Sequence, residues 1–192
     1  NVNKIQIYTQ AVEKLKMGEV VAFPTETVYG LGAIATNEQA VAKIFEAKGR
    51  PSDNPLIVHV GESQHILKYV HEVSKKAQKC IDAFWPGPLT LILHAKPNVF
   101  APNVTAGLST VGLRMPDHPV ALELLKMLGE PVAAPSANRS GKPSPTTALH
   151  VEKDLQGRIP LILDGGATGI GLESSVVDFT VDPPVILRPG GV

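Results

Sequence analysis

Short apolar runs, most of them closed by glycine or proline, recur along this chain, and segments with apolar residues at helical spacing lie between many of them. EVVAF (19–23), PLIVHV (55–60), LTLIL (89–93), STVGLRM (109–115), PVAA (131–134), LILD (161–164), SSVVDF (174–179) and PVILRP (184–189) read as strands. Ile7, Ala11, Val12 and Leu15 mark a helix stopped by Gly18. A second helix opens with a Thr36–Gln39 capping box, carries Val41, Ile44 and Phe45 inward, and ends at Lys48-Gly49. A long amphipathic helix is expected from about Ser63 to Phe84, with Ile66, Leu67, Val70, Val73, Ala77, Cys80 and Ile81 inward, until WPGP breaks it. Val120, Ala121, Leu124, Leu125 and Leu128 give a further helix that stops at Gly129, and a last one runs to about Leu155. Helices and strands alternate over the first two thirds and strands dominate the end. That order predicts an α/β (α+β-like) fold in one domain, residues 1–192: a twisted sheet of mixed parallel and antiparallel strands with flanking helices.

Charge narrows the functional classes. Eighteen basic and eighteen acidic residues cancel, which argues against a general nucleic-acid coat and leaves room only for a local basic pocket. Aromatic residues make up 5%, too few for a stacking platform along a single strand. The single cysteine, Cys80, excludes an internal disulfide and suits a reducing compartment, with its thiol expected inside a helix. No run is long and apolar enough for a membrane span, and no signal peptide is evident, so a cytoplasmic location is expected.

Four stretches concentrate polar chemistry where strands run out. In FPTETVYGLG (23–32) an extended chain would put Thr25, Thr27 and Tyr29 on one face, either as the wall of a polar cavity or as a solvent-facing strand. In KGRPSDNPL (48–56) Lys48 and Arg50 flank a glycine on a loop stiffened by two prolines, with Asn54 beside them and His59 on the next strand. Such cations hold an anion at little ordering cost, although Lys48 also suits a helix C-terminus. PSANRSGKPSPT (135–146) offers Ser136, Asn138, Ser140, Ser144 and Thr146 between a strand and a helix, where open α/β sheets bind ligands. DGGATGIGLESSVV (164–177) is a glycine-rich turn into a strand, and Arg114 and Arg188 each end an apolar strand. A GxxxxGK[ST] loop, a complete dinucleotide fingerprint, a Cys/His metal cluster and a GxSxG elbow do not occur. By themselves these residues describe a rigid pocket, rich in hydroxyls and arginines, for an anionic small molecule, with no covalent nucleophile evident.

The motifs PTETVYGLGA, KGRPSDNPLIVHV, FWPGPLTLIL, VTAGLSTVGLRMPDHP, APSANRSGKPSPT and LESSVV…ILRPGG resemble, in order, those of the YrdC-type threonylcarbamoyl-adenylate synthase family. The resemblance covers the chain from about Glu19 to Gly191. It implies that L-threonine, bicarbonate and ATP give threonylcarbamoyl-AMP and pyrophosphate, the first step of threonylcarbamoyladenosine modification of tRNA. It further implies that Thr27, His59, Arg114, Ala134 (through its backbone) and Ser174 hold threonine. Arg50, Asn54, Thr110, Ser136, Ser144 and Arg188 then hold ATP, and Lys48 and Arg50 act on the phosphates. Mg2+ is expected to be held mainly through the ATP phosphates, with no protein ligand assigned. The pair Ser174-Ser175 departs from the Ser-Thr expected of the family. Partners implied are ATP, L-threonine and bicarbonate, with tRNA or proteins of a tRNA-modification complex beyond them. ILRPGGV resembles the point where longer members continue into a linker and a second domain, and Asn1 in place of Met suits a trimmed chain. Two alternatives share the fold: a carbamoyl-adenylate-forming domain, and an RNA-binding module whose concave basic surface draws on Lys48, Arg50, Arg139 and Lys142.

Overall fold

The computed structural model describes residues 2–192, with side chains from Ile5 onward. Eight strands form one sheet: β1 (Val21–Pro24), β2 (Tyr29–Ile34), β3 (Ile57–His59), β4 (Leu89–His94), β5 (Thr110–Arg114), β6 (Val132–Ala133), β7 (Ser175–Asp178) and β8 (Val185–Arg188). Their order across the sheet is β1-β2-β6-β3-β5-β4-β7-β8. The pairs β3/β5 and β4/β7 are parallel and the others antiparallel, so the sheet is mixed as expected.

Six α-helices cover it: α1 (Val2–Lys16), α2 (Glu38–Lys48), α3 (Lys75–Phe84), α4 (Pro102–Thr105), α5 (Pro119–Leu128) and α6 (Ala148–Leu155). Ala11 and Leu15 of α1 and Leu124 and Leu125 of α5 pack with Val21, Phe23 and Val132 in one apolar cluster. A larger cluster joins Val41, Ile44 and Phe45 of α2 and Val151 and Leu155 of α6 to Leu31, Val58, Leu91 and Leu113 of the sheet. Burying one such side chain stabilises by about 1.5–3 kcal/mol relative to exposure.

Several expectations need correction. The helix expected over 63–84 is two elements: a 3-10 helix at Ser63–Lys68 and α3, which starts only at Lys75, behind the N-cap Ser74. Between them the backbone bonds to the end of β4 instead: Lys96 N donates to Tyr69 O at 2.8 Å and His71 N to His94 O at 3.1 Å. That pairing outcompetes helix continuation, and it leaves Leu67, expected inward, exposed. Ser74 Oγ accepts from Ala77 N at 3.2 Å, a start signal present in the sequence. The cap of α2 is Asn37, whose Oδ1 accepts from Ala40 N, in place of Thr36. LILD makes only an isolated parallel bridge, Ala22 to Ile162. Ile7, expected inward, is exposed, Cys80 is half-buried, and the short helix α4 was not anticipated.

The stretch after Phe23 differs most. The strand ends at Pro24 and residues 25–28 form the turn of the β1–β2 hairpin. Thr25 Oγ1 closes that turn, donating to Val28 O at 2.7 Å and accepting from Thr27 N at 3.2 Å. Tyr29 therefore does not share a face with Thr25 and Thr27 as an extended chain would require. Its hydroxyl reaches the loop at 164–166, donating to Gly166 O at 2.7 Å and accepting from Gly165 N at 3.1 Å.

Candidate active site

Parallel pairing of β3 and β5 sets His59 against Arg114 in register. Around them the β1–β2 turn brings Thr27, the end of β6 brings Ala134 to Ser136, the segment before β7 brings Glu173 and Ser174, and the end of β8 brings Arg188. With Arg50 and Pro55 these residues line a cavity of about 190 Å3. A second hollow of about 420 Å3, lined by Ser144, Gly171, Leu172 and Pro189 among others, shares Glu173 and Arg188 with the first. The smaller volume lies below the usual 300–1,000 Å3 of a site for a larger organic ligand, and it suits a small amino acid.

Arg114 is the most constrained cation. Its Nη2 forms an ion pair with Glu26 Oε1, Nη1 donates to Thr27 Oγ1 at 3.3 Å, and Nε donates to Gly87 O at 3.3 Å. Glu26 is itself fixed, because Oε2 accepts from Asp117 N at 2.7 Å. The pair is 5% and 12% exposed, so neither charge is tolerable alone. Burial pulls the Arg114 pKa down and Glu26 opposes that shift. In an extended chain Glu26 would alternate with Thr25 and Thr27 and point to the opposite face; the turn at residues 25–28 brings it onto Arg114 instead, a role that the alternation does not signal.

His59 is buried and its Nδ1 lacks a hydrogen-bond partner. Burial, then the Arg114 guanidinium, lowers its pKa to about 3, against a weaker opposing pull from the carbonyls of Ile57 and Val132. The imidazole is therefore neutral near pH 7, a dipole and not a charge in the cavity wall. Ser174 is buried in the same lining, its Oγ within 2.8 Å of Thr90 Oγ1.

The other cations divide into two kinds. Arg50 follows Gly49, whose φ of 66° ends α2 in the left-handed conformation that glycine adopts without strain. Its guanidinium lies 5.4 Å from the Phe45 ring centroid and lines the cavity. Arg188 is aimed by Ser174, whose carbonyl accepts from Nε at 3.1 Å and Nη2 at 2.9 Å. Its Nη1 meets Glu173 Oε2 at 2.9 Å.

Lys48 behaves differently. It is 2% exposed and does not line the cavity. Its Nζ donates to Ser136 O, and to Asn138 O at 2.9 Å, bracing the loop that carries Ser136 into the lining. Burial, then Arg50, lowers its pKa to about 8, while Glu173 and Asp154 oppose the shift. Lys48 therefore adds nothing to the expected concave basic surface, because its ammonium faces inward.

Of the residues expected at the site, Thr27, Arg50, His59, Arg114, Ala134, Ser136, Ser174 and Arg188 line the one cavity. Ser144 lies in the adjoining hollow, its Oγ donating to Glu173 Oε1 at 3.0 Å. Asn54 is exposed on the loop before β3 and Thr110 begins β5; neither lines these two hollows. The register that pairs Ile57 with Gly112 carries Thr110 toward Pro55, at the cavity's edge.

Comparison with known proteins follows the same outline. The family model for Sua5, YciO and YrdC proteins, described as "Telomere recombination", matches residues 13–190. A threonylcarbamoyl-AMP synthase of Bacillus subtilis (strain 168) is 60% identical over 183 residues, 95% of this chain and 53% of that protein. One from Pyrococcus abyssi is 54% identical over 178 residues, 93% of this chain and 52% of that protein. The chain thus spans about half the length of these two curated relatives. The structure of P. abyssi Sua5 complexed with L-threonine superposes with a TM-score of 0.94 at 52% identity, covering 96% of this chain and 54% of that one. Escherichia coli YciO superposes with a TM-score of 0.86 at 27% identity, covering 96% and 89%.

Proposed function

Because this chain belongs to the Sua5/YciO/YrdC family, we propose that it carries threonylcarbamoyl-AMP synthase activity, joining L-threonine, bicarbonate and ATP into threonylcarbamoyl-AMP with release of pyrophosphate and water. The observation that carries the proposal is the meeting of Arg50, Arg114 and Arg188 with neutral His59, Thr27 and Ser174 in one cavity of amino-acid size, opening onto a larger hollow.

In this reading the small cavity holds threonine. Arg114 receives its carboxylate, and Thr27, neutral His59, Ser174 and the Ala134 backbone surround the rest. The amine nitrogen bonds to the carbon of carbon dioxide, supplied from bicarbonate with loss of water, and sheds a proton to give a carbamate. A carbamate oxygen then attacks the α-phosphorus of ATP, and the bond from that phosphorus to the bridging oxygen breaks as pyrophosphate leaves. No protein nucleophile takes part. The chain's contribution is to hold two anions in line and to meet charge that grows on the phosphates. In this reading Arg50 and Arg188 take the second task, Ser136 and Ser144 orient the nucleotide, and Asn54 and Thr110, outside both linings, meet its outer parts. Lys48 acts on the phosphates through the loop it braces.

Mg2+ would be carried mainly by the ATP phosphates. Such ions are bound through one or two carboxylates together with substrate phosphates, and Glu173 is a carboxylate in both linings. There it would neutralise charge on the departing pyrophosphate. Among the described residues no helix is long and apolar enough to cross a membrane. Transfer of the product to tRNA, directly or through proteins of a modification complex, completes the proposed role.

Pyrophosphate release tests the proposal. Release should require L-threonine, bicarbonate and ATP together and fall strongly with L-serine. Equal release with carbamoyl phosphate in place of threonine and bicarbonate would assign the site to carbamoyl-adenylate formation instead.

A further inference from the structure

Arg188 and Ser144 are not free in this structure. Both give a hydrogen to the same carboxylate, Glu173, through Arg188 Nη1 at 2.9 Å and Ser144 Oγ at 3.0 Å. Glu173 stands at the seam of the two hollows, with one oxygen turned to each partner. The remaining donors of Arg188 that are described, Nε and Nη2, are taken by Ser174. Those bonds aim the guanidinium and run mainly to a backbone carbonyl, which cannot leave without moving β7. Among the described partners of Arg188, Glu173 is thus the one that can be exchanged for an incoming anion.

We infer that the Glu173 carboxylate is a built-in stand-in for nucleotide phosphate, which must be displaced from Arg188 and Ser144 before they can grip ATP. The inference rests on the reading of those two residues as nucleotide contacts.

The surroundings make the exchange a matter of one side chain. The Glu173 backbone is fixed, its carbonyl accepting from Gly191 N at 3.0 Å. Gly190 is pressed against the same carbonyl so closely that an added Cβ would lie 2.3 Å from it. The side chain, in contrast, is 43% exposed and Arg188 is 41% exposed, so rotating the carboxylate out returns it to water. An ion pair this exposed is weak, which suits a contact that must be broken on each cycle. While in place it keeps Arg188 from collapsing elsewhere and presents a charge that rejects weakly binding anions. A polyphosphate, with more charge and more acceptors than one carboxylate, wins the exchange.

The Glu173→Gln variant separates this role from others, since glutamine keeps the shape and loses the charge. ATP is titrated by calorimetry into the wild-type chain and the variant, with EDTA present so that no divalent cation contributes. The variant is expected to bind ATP about two- to fivefold more tightly, the range an exposed ion pair corresponds to, with L-threonine affinity unchanged. Equal or weaker ATP binding by the variant overturns the inference while leaving the nucleotide site in place. Tighter threonine binding of the same size also overturns it, because the effect would then be a general change of field. ATP binding by neither protein, in EDTA and again in excess Mg2+, overturns the nucleotide site and the inference together.

Discussion

His59 and Arg114 face one another across two parallel strands, β3 and β5, and the guanidinium helps to hold the imidazole neutral. The relationship has a cost that depends on pH. In the unfolded chain His59 takes up a proton near its ordinary pKa of 6.5, whereas in the fold it does not until about pH 3.

Stability should therefore fall as pH drops below about 6.5, with a slope of about 1.4 kcal/mol per pH unit from this residue alone. By pH 5 the loss amounts to about 2 kcal/mol. Urea denaturation of the wild-type chain and of His59→Gln at pH 7 and pH 5 checks this. The variant should lose less stability between the two, and parallel losses would mean that His59 is charged in the fold.

Glu26 is predicted to matter through Arg114. Glu26→Ala leaves a buried guanidinium unpaired and should cost about 3–5 kcal/mol in denaturation experiments. Glu26→Gln keeps an acceptor for Asp117 N, should cost less, and should raise the KM for threonine with little change in that for ATP. A rise confined to ATP would place Arg114 with the nucleotide.

Arg50→Ala should lower adenylate formation about a hundredfold or more, the effect of about 2.7–4 kcal/mol of lost electrostatic stabilisation in a transition state. Arg50 is half-buried on a loop, so the melting temperature should change little. Turnover equal to wild type would remove Arg50 from the chemistry. Thr27→Val offers a contrasting expectation: a raised KM for threonine with ATP binding preserved.

Much of the fold and of the site is legible in the sequence. The 3.6-residue spacing of Val41, Ile44 and Phe45, and of Ala121, Leu124, Leu125 and Leu128, identified α2 and α5 because both helices bury one apolar stripe on the sheet. Eight of the expected site residues meet in one cavity because they sit at strand ends and in glycine- and proline-rich loops, and those types are unusual in places chosen for packing alone. What escaped was tertiary in origin. Glu26 looked outward until the turn at residues 25–28 swung it onto Arg114. Lys48 looked like a cation at a helix end until the carbonyls of Ser136 and Asn138, about ninety residues away, claimed it. Residues 69–71 looked helical until the end of β4 offered them partners.

Gly190→Ala is predicted to act on the same edge of the sheet as Glu173. The new Cβ would meet Glu173 O at 2.3 Å and the Ser174 carbonyl carbon at 2.5 Å, backbone atoms that cannot rotate away. Overpacking of this kind costs about 1–3 kcal/mol. Thermal melts should show the loss, and ATP affinity should suffer more than threonine affinity. A variant with wild-type melting would mean that β8 adjusts freely against β7.

The amino-acid wall stands on β3 and β5, in the middle of the sheet, while Arg188 ends β8, its outermost strand, most of whose side chains meet solvent. Fraying begins at margins. One such opening would dissolve the proposed phosphate grip and leave the proposed threonine wall upright, so backbone amides at 185–188 should trade their hydrogens with heavy water well ahead of those at 57–59 and 111–114.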